Sequence, residues 1–246
     1  MIVFLIPTYN EADNIERLHA NLVKASEGRK VHFIFVDDCS SDGTVDLIKR
    51  VFAHGSVTVL TKEANAGPGD SFNRGMNYIL EHFSTERPAV VTVEADNTSD
   101  LGILPEMLML LDYGYELILA SVYAQGGGFS KTSLWRKIVS FVANMLLRIV
   151  YDIKVLTLSS FYRVYTYGLL ERIRSNHDVI IAEKGFISML EVLLKSISVK
   201  AKVIEVPMLL RSDNRVGKSK MKVFKTARSY VRFLLTFKGK MIKKPN

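Results

Sequence analysis

Cysteine is nearly absent: Cys39 is the single one among 246 residues. That excludes an internal disulfide and any cysteine-cluster metal site. Also lacking is an uninterrupted apolar run of the ~18 to 20 residues needed to span a membrane. The nearest stretch, IVSFVANMLLRIV at 138–150, is broken by Asn144 and Arg148. The start, MIVFLIPTYNEADN, has no basic opening and its apolar run stops at Pro7, so it reads as a first strand rather than a secretory signal, and a cytoplasmic protein is expected. The five histidines are scattered without ligand spacing and read as structural. No GxxxxGK loop or GxGxxG fingerprint occurs, NAGPGDSFNRG at 65–75 being neither, so any phosphate charge must be met by a metal or by basic side chains. From Asn214 to the end there is no Asp or Glu, against eleven Lys or Arg. The net charge of +8 therefore belongs to the tail, since the rest carries 22 basic and 25 acidic residues. Such a tail seeks an anionic surface, whether nucleic acid, anionic lipid or a phosphorylated substrate.

What is present is a β-α-β alternation. Apolar runs at about 2–6, 31–36, 57–60, 89–93 and 117–120 read as strands with helical segments between them, which predicts a mainly parallel sheet covered on both faces. Asn10 is positioned to cap the first helix, and SSDGT at 40–44 opens the second. After the glycine-rich AQGGGFSK (124–131) come a long helical pattern at about 133–150, a short SSFYRVY segment, a helix near 183–196 and a strand at 202–206. The last pattern, Met221 to Phe237, places Val223, Phe224, Ala227, Val231, Leu234 and Leu235 at helical spacing with Lys222, Lys225, Arg228 and Arg232 between them. No linker of Pro/Ser-rich composition separates the halves, so a single α/β domain over 1–212, followed by a basic flexible segment and amphipathic helix over 213–246, is expected.

Polar clusters follow three strands directly: PTYNE after the first, DDCSSDGT after the second, EADN after the fourth. In a parallel sheet these loops lie together at the C-terminal edge. On a strand, residues i and i+2 project to the same face, so Glu94 and Asp96 at the end of the fourth are expected to offer two oxygens to one Mg²⁺ or Mn²⁺. The plainer reading is that these acids only begin a loop or cap the next helix. With Asp37 and Asp38 on a neighbouring strand, one cleft could hold a nucleotide: a carboxylate on base or ribose, Tyr9 against a ring, and the metal on a diphosphate.

The segments PTYNEADNI, VDDCSSDGT, NAGPGDSFNRG, EADN, GGGFSKTSLWRKIVSFVAN, GF with Glu191 following, and EVPMLLRSDNRVGKSKM resemble, in order and spacing, the family 2 glycosyltransferases of GT-A fold, most closely their dolichyl- or polyprenyl-phosphate sugar synthases. The resemblance implies nucleotide contacts at Pro7, Tyr9, Glu11, Asp37 and Asp38, and a metal motif at Glu94 and Asp96, with Glu in place of the usual first Asp. It places the acceptor phosphate at Arg136 and Ser140, an acid at Glu191, and a segment over the donor diphosphate at Arg215, Ser219 and Lys220. Two positions depart from the pattern: Val122 stands where a second phosphate-binding arginine is expected, and Val155 where an aspartate is.

The expected reaction is inverting transfer of a hexose from a UDP- or GDP-sugar to a polyprenyl phosphate, with Asp96, Arg136 and Glu191 as the catalytic candidates. An anionic acceptor needs no strong base; a glycan hydroxyl acceptor would need one, with Glu191 first and Asp100 second. An inactive sugar-nucleotide-binding subunit is the other alternative. The expected partners are a nucleotide-sugar, a lipid phosphate and the cytoplasmic membrane surface, met directly or through a partner membrane protein. A nucleic-acid role would leave the three acidic loops without a purpose.

Overall fold

A computed structural model of the chain describes residues 1–132, 134–217 and 233, without the side chains of 134–139 and 143. The described strands are β1 (Ile2–Thr8), β2 (Val31–Asp37), β3 (Val57–Thr61), β4 (Ala89–Thr92), β5 (Leu117–Ser121), β6 (Gly128–Ser130), β7 (Arg163–Tyr165), β8 (Val203–Pro207) and β9 (Leu209–Arg211). The helices are α1 (Ala12–Ala25), α2 (Thr44–Val51), α3 (Pro68–His82), α4 (Leu104–Asp112), α5 (Leu134–Tyr151), α6 (Tyr167–Asn176) and α7 (Ser188–Ser198). Seven strands form one sheet in the order β3-β2-β1-β4-β7-β5-β8, and β6 pairs with β9 in a separate ribbon.

Alternation along each strand sends successive side chains to opposite faces. Val3 and Leu5 of β1, Ile34 and Val36 of β2, and Leu117 and Leu119 of β5 share one core with Phe72, Met76 and Ile79 of α3 and with α6 and α7. Ile2, Phe4 and Ile6, Phe33 and Phe35, and Ile118 and Ala120 face the other, built with Ile15 and Leu18 of α1, Ile48 of α2 and Met107 of α4. Two buried faces explain why the strands read as unbroken apolar runs. Each fully buried Leu, Ile or Phe contributes about 1.5–3 kcal/mol. Gly75 lets α3 approach β1 closely, because a Cβ there would collide with Leu5.

All strand pairs of the large sheet are parallel except those of β7, which runs antiparallel between β4 and β5. SSFYRVY thus supplies a central strand, too short to show a period of its own. α6 was also unread in the sequence, although Thr166 caps it by accepting from the Leu169 amide at 3.1 Å. From β1 the chain steps outward to β2 and β3, then returns to β4 on the other side of β1. That reversal opens a crevice at the C-terminal ends of β1, β2 and β4, where ligands of open α/β sheets bind.

Three local expectations change. β4 ends at Thr92, so Glu94 and Asp96 lie on the turn beyond it and strand alternation does not bring them together. The helix expected from 183 starts at Ser188, because the Ala182 and Glu183 amides donate to the Glu191 carboxylate and hold 182–183 as a loop. Asn10 makes no cap: it takes a left-handed conformation (φ 51°), its side chain accepts from the Ser41 amide, and Glu11 occupies the position before α1. Residues 212–217, where a flexible segment was expected to begin, are fastened to the sheet domain as described below. The remainder of that segment lies outside the described residues except Phe233, which is buried beside Tyr151 of α5. No helix among the described residues is long and apolar enough to cross a membrane.

Candidate active site

The loops after β1 and β2 interlock. The Asn10 amide donates to Ser40 Oγ (2.8 Å), the Glu11 amide to Thr44 Oγ1 (2.9 Å) and the Ala12 amide to Asp42 Oδ2 (3.1 Å). The entry to α1, including the amide of its first residue Ala12, is therefore held by side chains of residues 40–44 in place of a cap of its own. Tyr9 emerges at the rim of this junction, 37% exposed, with Pro7 half-buried below it.

Asp37 and Asp38 sit beneath that rim and are almost fully buried. Asp37 accepts from the hydroxyls of Thr8 and Ser40 and from the Ser40 amide. Asp38 accepts from the amides of Ala66 and Gly67, both at 2.8 Å, and pairs with Lys62 Nζ at 2.7 Å. Their oxygens are thus turned to protein donors, Asp37 holding the turn at Ser40 and Asp38 shaping the 64–67 loop. Lys62, which also pairs with Asp70, was not singled out in the sequence; a lysine one residue after a strand gives no warning of burial. That loop passes close to residues 183–185, and Gly69 is required there, since a Cβ would strike the Glu183 carbonyl.

The turn after β4 brings Glu94 and Asp96 beside Glu11. Asp96 Oδ1 accepts from the Thr98 amide (3.0 Å) and hydroxyl (2.7 Å), while Oδ2 faces the Arg215 guanidinium, with Nε at 2.8 Å and a second contact from Nη2. Burial, then the charges of Asp96 and Glu11, push the Glu94 carboxyl up to about 8 against the opposing pull of Arg215. Arg215 is itself held protonated above its ordinary value: burial opposes this, but Asp96, Glu94 and Glu11 prevail. One guanidinium thus faces three acids.

Arg215 is aimed by residues the sequence reading passed over. Asn14 Nδ2 donates to Glu11 Oε2 (2.7 Å) and to the Val216 carbonyl (3.3 Å), and Asn14 Oδ1 accepts from the Val216 amide (3.1 Å). Arg17 donates to the Asn214 carbonyl and side chain. Asn97, left-handed at φ 61°, binds the Asn14 carbonyl and the Asn21 side chain, which seats the metal-motif turn on α1. The signal was available only as an asparagine on the buried face of an amphipathic helix.

Does this set fit a divalent ion? Among the described residues, no three His, Cys, Asp or Glu side chains form a ready cage. Two carboxylates do suit Mg²⁺ or Mn²⁺, which commonly take one or two of them together with water and phosphate oxygens. A carboxyl driven to about 8 by burial and by the charge of its acidic neighbours is also one that a cation would return to the ionised form. The donor set fits.

α5 is tied to the chain that follows β5. Ser140 Oγ accepts from Tyr123 Oη at 2.8 Å, and Asn144 Nδ2 donates to the Ser140 carbonyl at 2.8 Å. Asn144 Oδ1 accepts from the Leu158 amide, tying α5 to the 155–161 segment. That segment is held further by Glu205, which accepts from the amides of Leu156 and Thr157, and by the Ser121–Thr157 hydroxyl pair at 2.6 Å. Arg163 is fully buried and donates to the carbonyls of Leu158, Ser160 and Met189. Val122 and Val155, the two departures from the expected pattern, are partly buried packing residues. Arg136 lies in the first turns of α5 with its side chain outside the described residues, and Ser219 and Lys220 also fall outside them.

Glu191 lies in α7, 2% exposed. It accepts from the Ala182 and Glu183 amides and pairs with Lys195 at 2.7 Å, one turn on. Both oxygens are committed to holding the 182–183 loop. Asp100 caps a short 3-10 turn through the Gly102 amide.

Comparison with known proteins agrees with this architecture. The chain is 27% identical over 219 residues to the polyprenol monophosphomannose synthase of Mycolicibacterium smegmatis, covering 88% of this chain and 79% of that one. It is 27% identical over 234 residues to the dolichol-phosphate mannosyltransferase of Pyrococcus furiosus, covering 94% of this chain and 61% of the relative. Among solved structures, glucosyl-3-phosphoglycerate synthase from Mycobacterium tuberculosis, bound to Mn²⁺, UDP-glucose and glycerol 3-phosphate, superposes with a TM-score of 0.63 at 15% identity, over 100% of this chain and 81% of that one. S. aureus TarS in complex with UDP gives 0.58 at 19% identity, over 96% and 65%. These structural likenesses establish the GT-A fold. Residues 3–174 match the family model for glycosyl transferase family 2, and the chain belongs to that family.

Proposed function

We propose that the protein transfers a hexose from a UDP- or GDP-sugar to a polyprenyl phosphate, with inversion at the anomeric carbon. The observation that carries this reading is the cluster of acids, Glu11, Glu94 and Asp96, under the one Arg215 guanidinium at the strand ends. The relatives named for polyprenol- and dolichol-phosphate mannose transfer support it.

On the donor side, Pro7, Tyr9 and Glu11 form the rim that the nucleoside lies on, and Asp37 and Asp38 fix the loops beneath it. Glu94 and Asp96 would hold Mg²⁺ or Mn²⁺, which when bound supplies positive charge to the departing diphosphate. Arg215 brings a further cation to the same place, and Lys220 belongs to the same segment. On the acceptor side, Arg136 and Ser140, one helical turn apart, receive the lipid phosphate. A phosphate oxygen forms the new bond to the anomeric carbon while the bond from that carbon to the diphosphate breaks, its electron pair leaving with the nucleotide. The nucleophile is already an anion, so no base is needed, and alignment supplies much of the rate.

Two features support a lipid acceptor at a membrane surface. The outward face of α5 leaves Phe141, Met145, Leu146 and Ile149 exposed, at 55, 41, 53 and 71%, beside Arg148. The basic tail adds cations suited to anionic lipid. A glycan hydroxyl acceptor would require Glu191 to release two amides and Lys195 before it could take a proton, which speaks against that alternative.

The test is transfer from labelled UDP- and GDP-hexoses to a short polyprenyl phosphate, with and without Mn²⁺, beside a soluble glycan acceptor. Product with the lipid phosphate is expected. Product with the glycan alone would overturn the reading, and donor binding with no transfer to either would indicate a binding subunit.

A further inference from the structure

The proposed acceptor pair contains one arginine, and Val122 stands where a second was expected. Immediately after Val122, Tyr123 leaves the end of β5 and reaches α5, its hydroxyl donating to Ser140 Oγ at 2.8 Å. The ring is fixed by edge-on contacts with Phe129 of β6 (5.7 Å) and Phe141 of α5 (6.0 Å). Burial raises the phenol above its ordinary value, while bonding to Ser140 and Asn144 works the other way, so at neutral pH it remains a donor. Ser140 is thereby held twice: its carbonyl by Asn144 and its hydroxyl oxygen by Tyr123.

The direction of that bond matters. A helical serine commonly gives its proton back to the carbonyl four residues earlier, and an unguided hydroxyl samples three staggered positions. When Tyr123 donates into one lone pair of Ser140 Oγ, the serine proton is not spent on the tyrosine and can be given to an anion on the crevice side. We propose that Tyr123 is a positioning residue for the acceptor phosphate, orienting the Ser140 hydroxyl as a donor at the place where a second cation is missing. This rests on the acceptor assignment made above. A phosphate bound in this way meets one guanidinium and one oriented hydroxyl, and a neutral pair replaces a charge whose desolvation would be costly.

Tyr123→Phe tests it, because the ring and its aromatic contacts remain and only the hydroxyl is lost. KM for a short polyprenyl phosphate should rise about five- to tenfold, the scale of one ordinary neutral hydrogen bond. KM for the nucleotide-sugar and the thermal midpoint should not change. Ser140→Ala should raise the acceptor KM by a similar factor, and the double variant should be no worse than Ser140→Ala alone, since the tyrosine acts through the serine. Additive effects, or equal loss on the donor side, would make Tyr123 a packing residue and overturn the inference. If Ser140→Ala weakens acceptor use while Tyr123→Phe leaves it intact, the acceptor assignment stands and the orienting role falls. If Ser140→Ala has no effect on acceptor use, the assignment fails and takes the inference with it.

Discussion

Around the ends of β1 and β2, residues 10–12 and 40–44 satisfy one another through short side-chain-to-amide bonds, whereas α5 is secured by single bonds to Tyr123, just beyond β5, and to Leu158, in the segment before β7. The first region is a mesh of half-buried and exposed bonds lying over the buried Asp37 and Asp38, the two carboxylates that would be expensive to leave unpaired. The second has an apolar outer face open to solvent and a few polar pins on its inner face. A mesh tolerates little change of residue type; a pinned helix tolerates much, provided the pins survive.

The comparison can be broken at several strengths. Asp96→Asn should be the most damaging to activity, lowering transfer by about 10²–10³-fold, the scale of losing one preorganised electrostatic contact. The amide keeps an oxygen for Thr98, so circular dichroism should report an intact fold while calorimetry shows metal-assisted donor binding lost. Undiminished binding would remove Asp96 from the metal site.

Lys195→Met should be the most damaging to stability. It leaves the Glu191 carboxylate buried without its counter-charge, a loss of about 3–5 kcal/mol, to be read by urea unfolding. A change below about 1 kcal/mol, the range of exposed ion pairs, would mean that the two amides alone suffice for Glu191.

Asn14→Ala releases the strap that carries Arg215. The expectation is a rise in donor KM of about tenfold, equivalent to one or two hydrogen bonds, with acceptor KM unchanged. Parallel loss of both would join the two sides of the crevice.

On the pinned side, replacing Leu146 and Ile149 by Glu should reduce co-sedimentation with anionic liposomes several-fold while leaving transfer to a short, soluble polyprenyl phosphate intact. Liposome binding that ignores these changes would move the membrane contact to the tail.

The smallest effect concerns a site far from the crevice. Arg172 grips Glu116 with two bonds and, as the leading cause, holds that carboxyl below its ordinary value. A depressed carboxyl contributes stability above its unfolded-state pKa and loses it as pH falls through the folded one. Arg172→Ala should therefore cost well under 1 kcal/mol at pH 7 for this partly exposed pair, and the difference from the parent should vanish in acid. A constant difference across that range would assign the cost to packing.

Much of the mesh was legible in the sequence because polar clusters after apolar strands have few places to go in a parallel sheet. Glu11, Glu94 and Asp96 do come together, although the last two meet on a turn and not along a strand. What escaped were partners distant in sequence: Lys62 for Asp38, Asn14 for the chain around Arg215, Glu205 for the amides of 156 and 157. None of these bonds leaves a local pattern, since an Asn, Lys or Glu looks the same whether solvated or buried with a partner. Tyr123 escaped for the opposite reason: attention went to the arginine missing beside it. β7 was hidden by length, three residues whose position between β4 and β5 is set by neighbours on both sides.

That inserted strand has an architectural consequence. Because β7 runs against its neighbours, the chain leaves the sheet at the crevice end of β5 and re-enters at the same end, the Ala120 amide donating to the Tyr162 carbonyl at 3.1 Å. Tyr123, Ser140, Asn144 and Thr157 all lie on this one excursion, whose two feet stand side by side. Residues 122–161 thus form a cassette, removable at two adjacent points without cutting a strand that carries the nucleotide rim. On the function proposed above, a relative's cassette grafted between the same feet is expected to exchange the acceptor and keep the donor, provided Glu205 still finds its amides and Arg163 its carbonyls.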